Sequence, residues 1–292
     1  MSIVNNLPAY VNDNRDELLA KSMMGAKTLD YIEVMANVKG KTALNYLDST
    51  VVFADGAECG FTAEGTDTLT QRTIEVKPIK VNKEFCQRDL LNTSLNYGLM
   101  VAAGREILPF EQKFIDTNVA AINAKLETLI WQGDASLGID GFLAQLEAEA
   151  GVVDVTAGDI NALIDAVYDA IPENVMDKDV HIFVSPANYR AYVKALNAEC
   201  CGNRDVIDAA AAEIFYPGDT RVRIVGVPGL AGQNVAVAGA RDNFVYGTDL
   251  EDSQSVYDFW YSTDDRIFKM EVLFNAGTQI KFPTDAVYGK IA

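Results

Sequence analysis

The chain has 292 residues, with 24 lysine and arginine side chains against 42 aspartate and glutamate, and a formal charge of −18. Binding to nucleic acid through its phosphates depends on clustered lysine and arginine, so this charge excludes a sequence reader of DNA or RNA. Hydrophobic residues make up 49% of the chain and charged residues 23%, which excludes the disordered class and indicates a globular body.

The first predicted elements are a polar arm, a short helix and a long hairpin. Asn14–Met24 is expected to form an amphipathic helix with Leu18 on its apolar face, and the arm precedes it. Two β-branched runs, near Ser49–Phe53 and Thr73–Val81, flank a polar stretch that contains several glycines, which predicts an extended hairpin. Because compact domains seldom contain some twenty residues without structure, we expect this loop to bind a partner.

The clearest predicted element is a helix over Phe110–Gln132, followed by Gly133 as its stop. Its apolar residues recur at spacings of four and three, while charged residues lie elsewhere on the helical wheel. Gly138–Leu143 is expected to be a tight turn that leads into a strand-like apolar patch. The apolar positions of the helix are Ile115, Val119, Ile122, Leu126 and Leu129.

The rest of the chain predicts a mixed α/β unit followed by closing strands. Thr156 and Asp159 fit a capping box, and Ser185–Pro186 fits a second helix start. Helices and strands that alternate in this way favour a central sheet with helices packed on it. The predicted elements are helices over 160–171, from Pro186 and near Asp205–Phe215, and strands over His181–Val184, Arg221–Val225, Val235–Ala238, Phe244–Tyr246, Ser255–Tyr261, Ile267–Phe274 and Gln279–Phe282.

No motif predicts catalysis, a cofactor or a metal site. His181 is the one histidine, and neither a nucleophile elbow nor a zinc-binding helix pattern accompanies it, so a strand-end residue is favoured. Residues 40–42 end like a phosphate-binding loop, but Met35 stands where that loop needs glycine. Asp264–Asp265 is expected to be a solvated turn, because chance carboxylate pairs are common among 42 acidic side chains.

Targeting signals and disulfides are not predicted either. The longest apolar runs are a few residues, whereas a membrane helix needs about 20. The amino terminus lacks the basic and apolar regions of a secretory signal, so synthesis inside the cell is expected. The four cysteines, of which Cys200 and Cys201 are adjacent, are too few and too irregular for a disulfide framework.

Several short sequence motifs occur in an order that resembles one family, the major capsid proteins of tailed bacteriophages. Their Hong-Kong-type fold is shared with encapsulin shells. The long helix with Trp131–Asp134 and Gly138–Phe142 resembles the family's spine helix, and the hairpin resembles its extended E-loop. The unit with Phe183–Pro186, Val225–Pro228 and Phe244–Gly247 is similar to the axial domain. The resemblance rests on the order of these motifs across nearly the whole chain.

The resemblance implies an α+β fold of five segments. They are an N-terminal arm (1–46), the E-loop hairpin (47–91), a peripheral domain with the spine helix (92–150), an axial domain (151–248) and return strands of the peripheral domain (249–292). Many relatives begin with a scaffolding domain that a protease removes. We expect no such domain before this arm, so the resemblance implies a separate scaffolding protein or none.

The implied function is that of a structural, non-enzymatic capsid subunit. Such subunits form the pentamers and hexamers of an icosahedral shell around double-stranded DNA, in the virion, after synthesis in the bacterial cytoplasm. The implied partners are further copies of the chain, together with a scaffolding protein, a portal and decoration proteins, and no membrane. The arm and the hairpin would have little core of their own and would become ordered by pairing with adjacent subunits. The E-loop would lie over the spine helix of the next subunit. The side chains that we expect at the subunit interface are Tyr10, Leu18, Val51, Val52, Phe53 and Phe61.

Two other functions remain open from the sequence alone. An encapsulin-like compartment shell has the same fold and would hold cargo enzymes in place of DNA. A small α/β enzyme is the second alternative, and it would form only a small oligomer. For Phe53 and Phe61, the alternative to an interface role is that both side chains cover a local core.

Overall fold

The computed structural model describes residues 3–53, 65–90, 92–94, 110–198, 207–208, 213–249 and 256–292. The main helices are α1 (Ile3–Asp13), α2 (Arg15–Met24), α3 (Phe110–Gln132), α4 (Phe142–Ala148), α5 (Ile160–Asp169) and α6 (Pro186–Ala198). The strands are β1 (Glu33–Met35), β2 (Lys41–Thr50), β3 (Thr66–Glu75), β4 (Lys77–Cys86), β5 (Val153–Ala157), β6 (Val180–Val184), β7 (Ile207–Asp208), β8 (Glu213–Tyr216), β9 (Asp219–Gly226), β10 (Val235–Ala240), β11 (Phe244–Thr248), β12 (Val256–Ser262), β13 (Ile267–Ile280) and β14 (Val287–Ile291).

The long helix α3 confirms the prediction at both ends. All five of its predicted apolar positions are buried in the larger hydrophobic core. Gly133 ends the helix with a backbone φ of 73°, a left-handed conformation that favours glycine. No helix in the described part of the chain is long and apolar enough to cross a membrane. Through its buried face, α3 packs against α1, α2 and α4.

The segment after α3 differs from the prediction. Phe142–Ala148 forms the helix α4 and not a strand-like patch, with Phe142, Leu143 and Leu146 buried on one face. The chain reverses tightly here, since a Cβ atom on Gly141 would lie 2.3 Å from the backbone nitrogen of Gly133. Glycine at position 141 is needed for this close approach, and the short helix then follows directly.

A seven-stranded mixed sheet has the strand order β5-β14-β10-β6-β9-β8-β7. Its core is a separate cluster of buried residues, to which α5 and α6 contribute. The carboxylate of Asp159 accepts the backbone N–H of Ala162 at 2.8 Å and caps α5, whereas Thr156 lies in β5. The predicted helix near Asp205–Phe215 is wrong where the structure describes it, because residues 207–208 and 213–216 are strands.

A second sheet has the order β1-β11-β13-β12, and β4 also pairs with β13. The two predicted strands Ile267–Phe274 and Gln279–Phe282 are one continuous strand, β13. Gly277 lies inside it and does not form a turn. A Cβ atom on Gly277 would lie 2.1 Å from the carbonyl oxygen of Glu75, so glycine is needed for a close approach between backbones.

The N-terminal segment also differs from the prediction of a polar arm. Residues 3–13 form α1, whose Leu7 and Val11 are fully buried, and α2 follows after a single residue. Both helices pack against β12 and α3. This segment is therefore part of the subunit's own core.

A buried junction joins the N-terminal segment to α3 and to the loop after β9. The backbone N–H and hydroxyl of Thr28 donate to the two carboxylate oxygens of Glu127, at 2.7 and 2.6 Å. The indole N–H of Trp131 donates to the Thr28 hydroxyl at 2.9 Å. On the other side of Trp131, a Cβ atom on Gly229 would lie 2.4 Å from the indole ring. Polar contacts and close packing thus fix α3 against two other parts of the chain.

Candidate assembly surface

The predicted hairpin is a two-stranded ribbon that forms a sheet of its own. Strand β2 pairs with β3 in a continuous antiparallel register from Lys41 opposite Glu75 to Thr50 opposite Thr66. The strands begin and end earlier in the sequence than the β-branched runs suggested. Residues 54–64, at the far end of the hairpin, lie outside the described residues.

The root of the ribbon has a small core of its own, contrary to the expectation of a hairpin with little core. Leu44 and Ile74 point inward from the two strands and pack with residues of the neighbouring segments. The hairpin is therefore held in place at its root before any neighbouring subunit is present. The buried members of this root core are Val38, Leu44, Ile74, Val76 and Val245.

Polar contacts also hold the root. The guanidinium of Arg72 donates to the carbonyl oxygen of Ile280 at 2.7 Å and forms an ion pair with Glu149. The ring of Tyr46 packs against Phe282, with ring centroids 4.7 Å apart. Burial raises the pKa of Tyr46 to about 12, so the phenol stays neutral near physiological pH. The β2–β3 ribbon is thus anchored to the end of β13 from both strands.

Replacing Arg72 with alanine is expected to loosen the ribbon without unfolding the subunit. The change removes two partly buried hydrogen bonds that the charged guanidinium donates, which we expect to cost about 1–2 kcal/mol. Hydrogen–deuterium exchange of the β2 and β3 amides should become about tenfold faster, because about 1.4 kcal/mol corresponds to that factor.

The matched control for this change is Lys41→Ala in the same ribbon. Lys41 pairs with Glu75 at 3.0 Å, but both side chains are exposed, so its loss should leave exchange almost unchanged. Equal protection in the Arg72 variant and the parent would contradict the anchoring role of Arg72.

The distal part of the ribbon exposes large apolar side chains. Phe53 is 97% exposed, Val51 73% and Val52 54%, directly after the end of β2. Leu69 on β3 is also 73% exposed, a residue that the sequence reasoning missed, although a lone leucine among the threonines of β3 was a visible signal. Apolar side chains at such exposure indicate a surface that another molecule covers.

The other predicted interface residues lie elsewhere. Leu18 is 2% exposed and Tyr10 is partly buried, and both pack in the larger core of the subunit. Phe61 lies outside the described residues. The structure thus brings Val51, Val52 and Phe53 together at one exposed end, whereas Leu18 lies in the subunit interior and Tyr10 is partly buried against the same core.

The side chains that were considered for catalysis or metal binding, His181 and Asp265, make contacts that stabilise the fold. His181 is buried in β6, with its ring centroid 5.3 Å from that of Tyr31. Asp265 pairs with Lys269 at 2.5 Å, and hydrogen bonds from Lys269 and Ser262 lower the pKa of its carboxyl. Among the described residues, no group of three or more His, Cys, Asp or Glu side chains is placed to hold a metal ion.

Together, the spine-like helix α3, the projecting ribbon and the two sheets define the Hong-Kong-type capsid fold, an α+β architecture. The chain is similar over 97% of its length, with 11% identity and a TM-score of 0.63, to 95% of a subunit from a satellite phage P4 procapsid that includes a size determination (Sid) protein. It also matches the capsid of an empty GTA particle, with 15% identity, a TM-score of 0.59 and coverage of 91% of this chain and 90% of that one.

A third similar structure is a virus-like particle from Pyrococcus furiosus. The identity is 12% and the TM-score 0.57, with 96% of this chain and 99% of that chain covered. No protein-family model and no curated protein matches the sequence. At these identities the likeness defines the fold, and the function has to be argued from the surface of this chain.

Proposed function

We propose that this chain is a major capsid protein that assembles into the pentamers and hexamers of an icosahedral phage shell around double-stranded DNA. The observation that carries the proposal is the ribbon, which is anchored at its root by a core and by Arg72 and exposes Val51, Val52 and Phe53 beyond β2. A pre-formed projection with an apolar end suits a subunit that reaches its neighbour, because main-chain and side-chain contacts then form with little further ordering.

The five segments of the chain take the corresponding roles in this proposal. Residues 47–91 act as the E-loop, 92–150 and 249–292 as the peripheral domain, and 151–248 as the axial domain around the fivefold and sixfold axes. Residues 1–46 act as the N-terminal segment, although α1 and α2 pack within the subunit. A separate scaffolding protein, a portal and decoration proteins are the proposed accessory partners. Synthesis in the host cytoplasm and no enzymatic role complete the proposal.

The charge of −18 per subunit fits a shell that encloses DNA better than a protein that binds DNA. A shell with this acid excess would confine DNA by geometry, with few attractive contacts to the phosphates. Repulsion between subunits is screened over about 10 Å at ordinary salt, so assembly should depend on ionic strength.

Sedimentation of the purified chain tests the proposal. We expect particles of viral size, from this chain alone or with a scaffolding protein added, whereas a stable small oligomer under all salt conditions and with scaffolding protein present would contradict a shell subunit. A compartment shell of the same fold is the second candidate. Particles taken from their natural source separate the two candidates, because DNA inside supports the capsid and a packaged enzyme supports the compartment.

A further inference from the structure

Two tyrosines are stacked on each other between α5 and the end of β8. The ring centroids of Tyr168 and Tyr216 lie 3.8 Å apart, and only 7° separates the two ring planes. Carbon atoms of the two rings are therefore in van der Waals contact, at separations of about 3.5–4.0 Å. Aromatic pairs more often have centroids about 4.5–7 Å apart, so this pair is unusually close. Both side chains are partly exposed, which leaves the rings open to solutes.

Each phenol donates a hydrogen bond to a carboxylate from the other tyrosine's segment. The hydroxyl of Tyr168 donates to Oδ2 of Asp219 at 3.1 Å, and that of Tyr216 donates to Oδ1 of Asp165 at 3.0 Å. Asp165 lies just before Tyr168 on α5, and Asp219 begins β9, so the two bonds cross between the segments. Partial burial, together with these hydrogen bonds, raises the pKa of Tyr216 to about 12 and raises the pKa of Tyr168. Both phenols therefore keep their protons near physiological pH, and each proton has an acceptor already in place.

This arrangement favours the removal of one electron and one proton from each ring. A neutral phenol is oxidised more easily when a base takes its proton in the same step, because a strongly acidic radical cation is then avoided. A phenoxyl radical carries much of its unpaired spin on the ring carbons Cε1 and Cε2, next to the carbon that bears the oxygen. In a parallel stack the carbons of one ring face those of the other, so two radicals couple without first diffusing together.

We propose that Tyr168 and Tyr216 form an oxidative cross-linking site, which hydrogen peroxide and a one-electron peroxidase catalyst convert into dityrosine. Each phenol loses one electron to the oxidant and one proton to its carboxylate, Asp219 or Asp165, and the two radicals form one bond between a Cε of each ring. The hydrogen on each bonded Cε then moves to a phenolic oxygen, which restores both aromatic rings. The two electrons and two protons reduce one peroxide to two molecules of water. A cross-link within one subunit goes beyond the proposed shell function and does not depend on it.

The chain around Tyr216 can make the movement that this bond requires. The ring carbons have to close from van der Waals contact to a covalent bond, so one of the two segments must shift. The pairing of β8 with β9 changes register between Phe215 and Tyr216, and Gly218 has a φ of 88° in the turn that follows. An irregular strand end and its turn shift at lower cost than a regular helix such as α5. The cross-link would thus fasten the turn between β8 and β9 to α5.

The first test locates the bond. The purified chain is oxidised at low concentration with hydrogen peroxide and a peroxidase, and the product is digested with trypsin, which cuts after lysine and arginine. Tyr168 is then the one tyrosine of peptide 126–178, and Tyr216 is the one tyrosine of peptide 205–221. We expect these two peptides to be joined, with a mass lower than their sum by two hydrogen atoms, in chains that remain monomeric on a denaturing gel. The absence of this joined pair would overturn the proposal.

The second test measures the role of the carboxylates. Asp165→Asn keeps the shape of the side chain but removes the base that accepts the Tyr216 proton, so the cross-link should form about tenfold more slowly or slower still. Asp169→Asn is the matched control, because Asp169 acts on both rings through its charge but neither phenol donates to it. The rate in this control should stay almost unchanged. Equal rates for the two variants would show that Asp165 takes no proton and would overturn the proposal.

The third test separates the chemistry from folding. Tyr216→Phe keeps an aromatic ring but has no phenol, so no joined peptides should form, while its unfolding temperature before oxidation should stay close to that of the parent. In the parent, the bond closes the loop of chain between residues 168 and 216, so oxidation should raise the unfolding temperature. A rise of the same size in the oxidised Tyr216→Phe variant would contradict the cross-link.

Discussion

Replacing residues 51–65 with an Asn-Gly turn is expected to give a folded subunit that forms no shells. Thr50 and Thr66 are directly paired at the end of the ribbon, and their hydroxyl oxygens lie 3.0 Å apart. A two-residue Asn-Gly loop closes such a pair with the twist that an antiparallel hairpin prefers. The change therefore removes Val51, Val52 and Phe53 but keeps the strands and the root core.

This shortened hairpin isolates the contribution of the exposed end. Its thermal unfolding temperature should equal that of the parent subunit, because none of the removed side chains in the described residues is buried. Electron microscopy should find no closed particles. The triple variant Val51→Ser, Val52→Ser, Phe53→Ser keeps the length of the loop and should also reduce assembly strongly. Shells of normal size from the shortened chain would contradict the role of the hairpin.

Trp131→Ala is expected to destabilise the subunit by about 3–5 kcal/mol, the largest single-site loss that we predict. The indole is fully buried, with its ring centroid 5.1 Å from that of Phe183 and 5.5 Å from that of Phe142. Its loss leaves a cavity and removes the hydrogen bond to the Thr28 hydroxyl, where the N-terminal segment meets α3. Urea unfolding of the shortened-hairpin subunit, which stays unassembled, is the measurement.

The other tryptophan provides the control. Trp260 lies on β12 and is 40% exposed, so Trp260→Ala should cost only about 1 kcal/mol. Both substitutions remove a tryptophan side chain. The difference between their losses in free energy of unfolding therefore reports how much the buried junction contributes to stability. Similar losses for both variants would show that Trp131 does not hold the three segments together.

Local sequence patterns predicted α3 and β6 correctly. Helix α3 was predicted at both ends because its apolar spacing and its glycine stop agree. The strand beginning near His181 was predicted within one residue, as β6 begins at Val180, because its apolar run is buried on both faces. These are cases in which local pattern and tertiary environment require the same structure.

The predictions failed where tertiary contacts decide the conformation. The predicted break between Ile267–Phe274 and Gln279–Phe282 does not exist, because β13 continues through Gly277, where the backbone of Glu75 approaches closely. The alanine run before Glu213 favours a helix, yet Ile214 is buried opposite Ile224 in a strand pair. Neither close approach nor strand pairing can be read from a short window of sequence.

The candidate surface was predicted only in part for the same reason. Val51, Val52 and Phe53 were selected as apolar residues in a polar loop, and they are exposed. The same reasoning selected Leu18, because the sequence alone does not reveal that α2 packs on α3 and β12.

Negative-stain electron microscopy of the purified full-length chain, over a range of salt concentrations, tests the central claim most directly. The account predicts closed, thin-walled particles with icosahedral outlines, formed by this chain alone or with a scaffolding protein added. Fields that contain only particles the size of a monomer or small oligomer, under every condition and with scaffolding protein present, would contradict it.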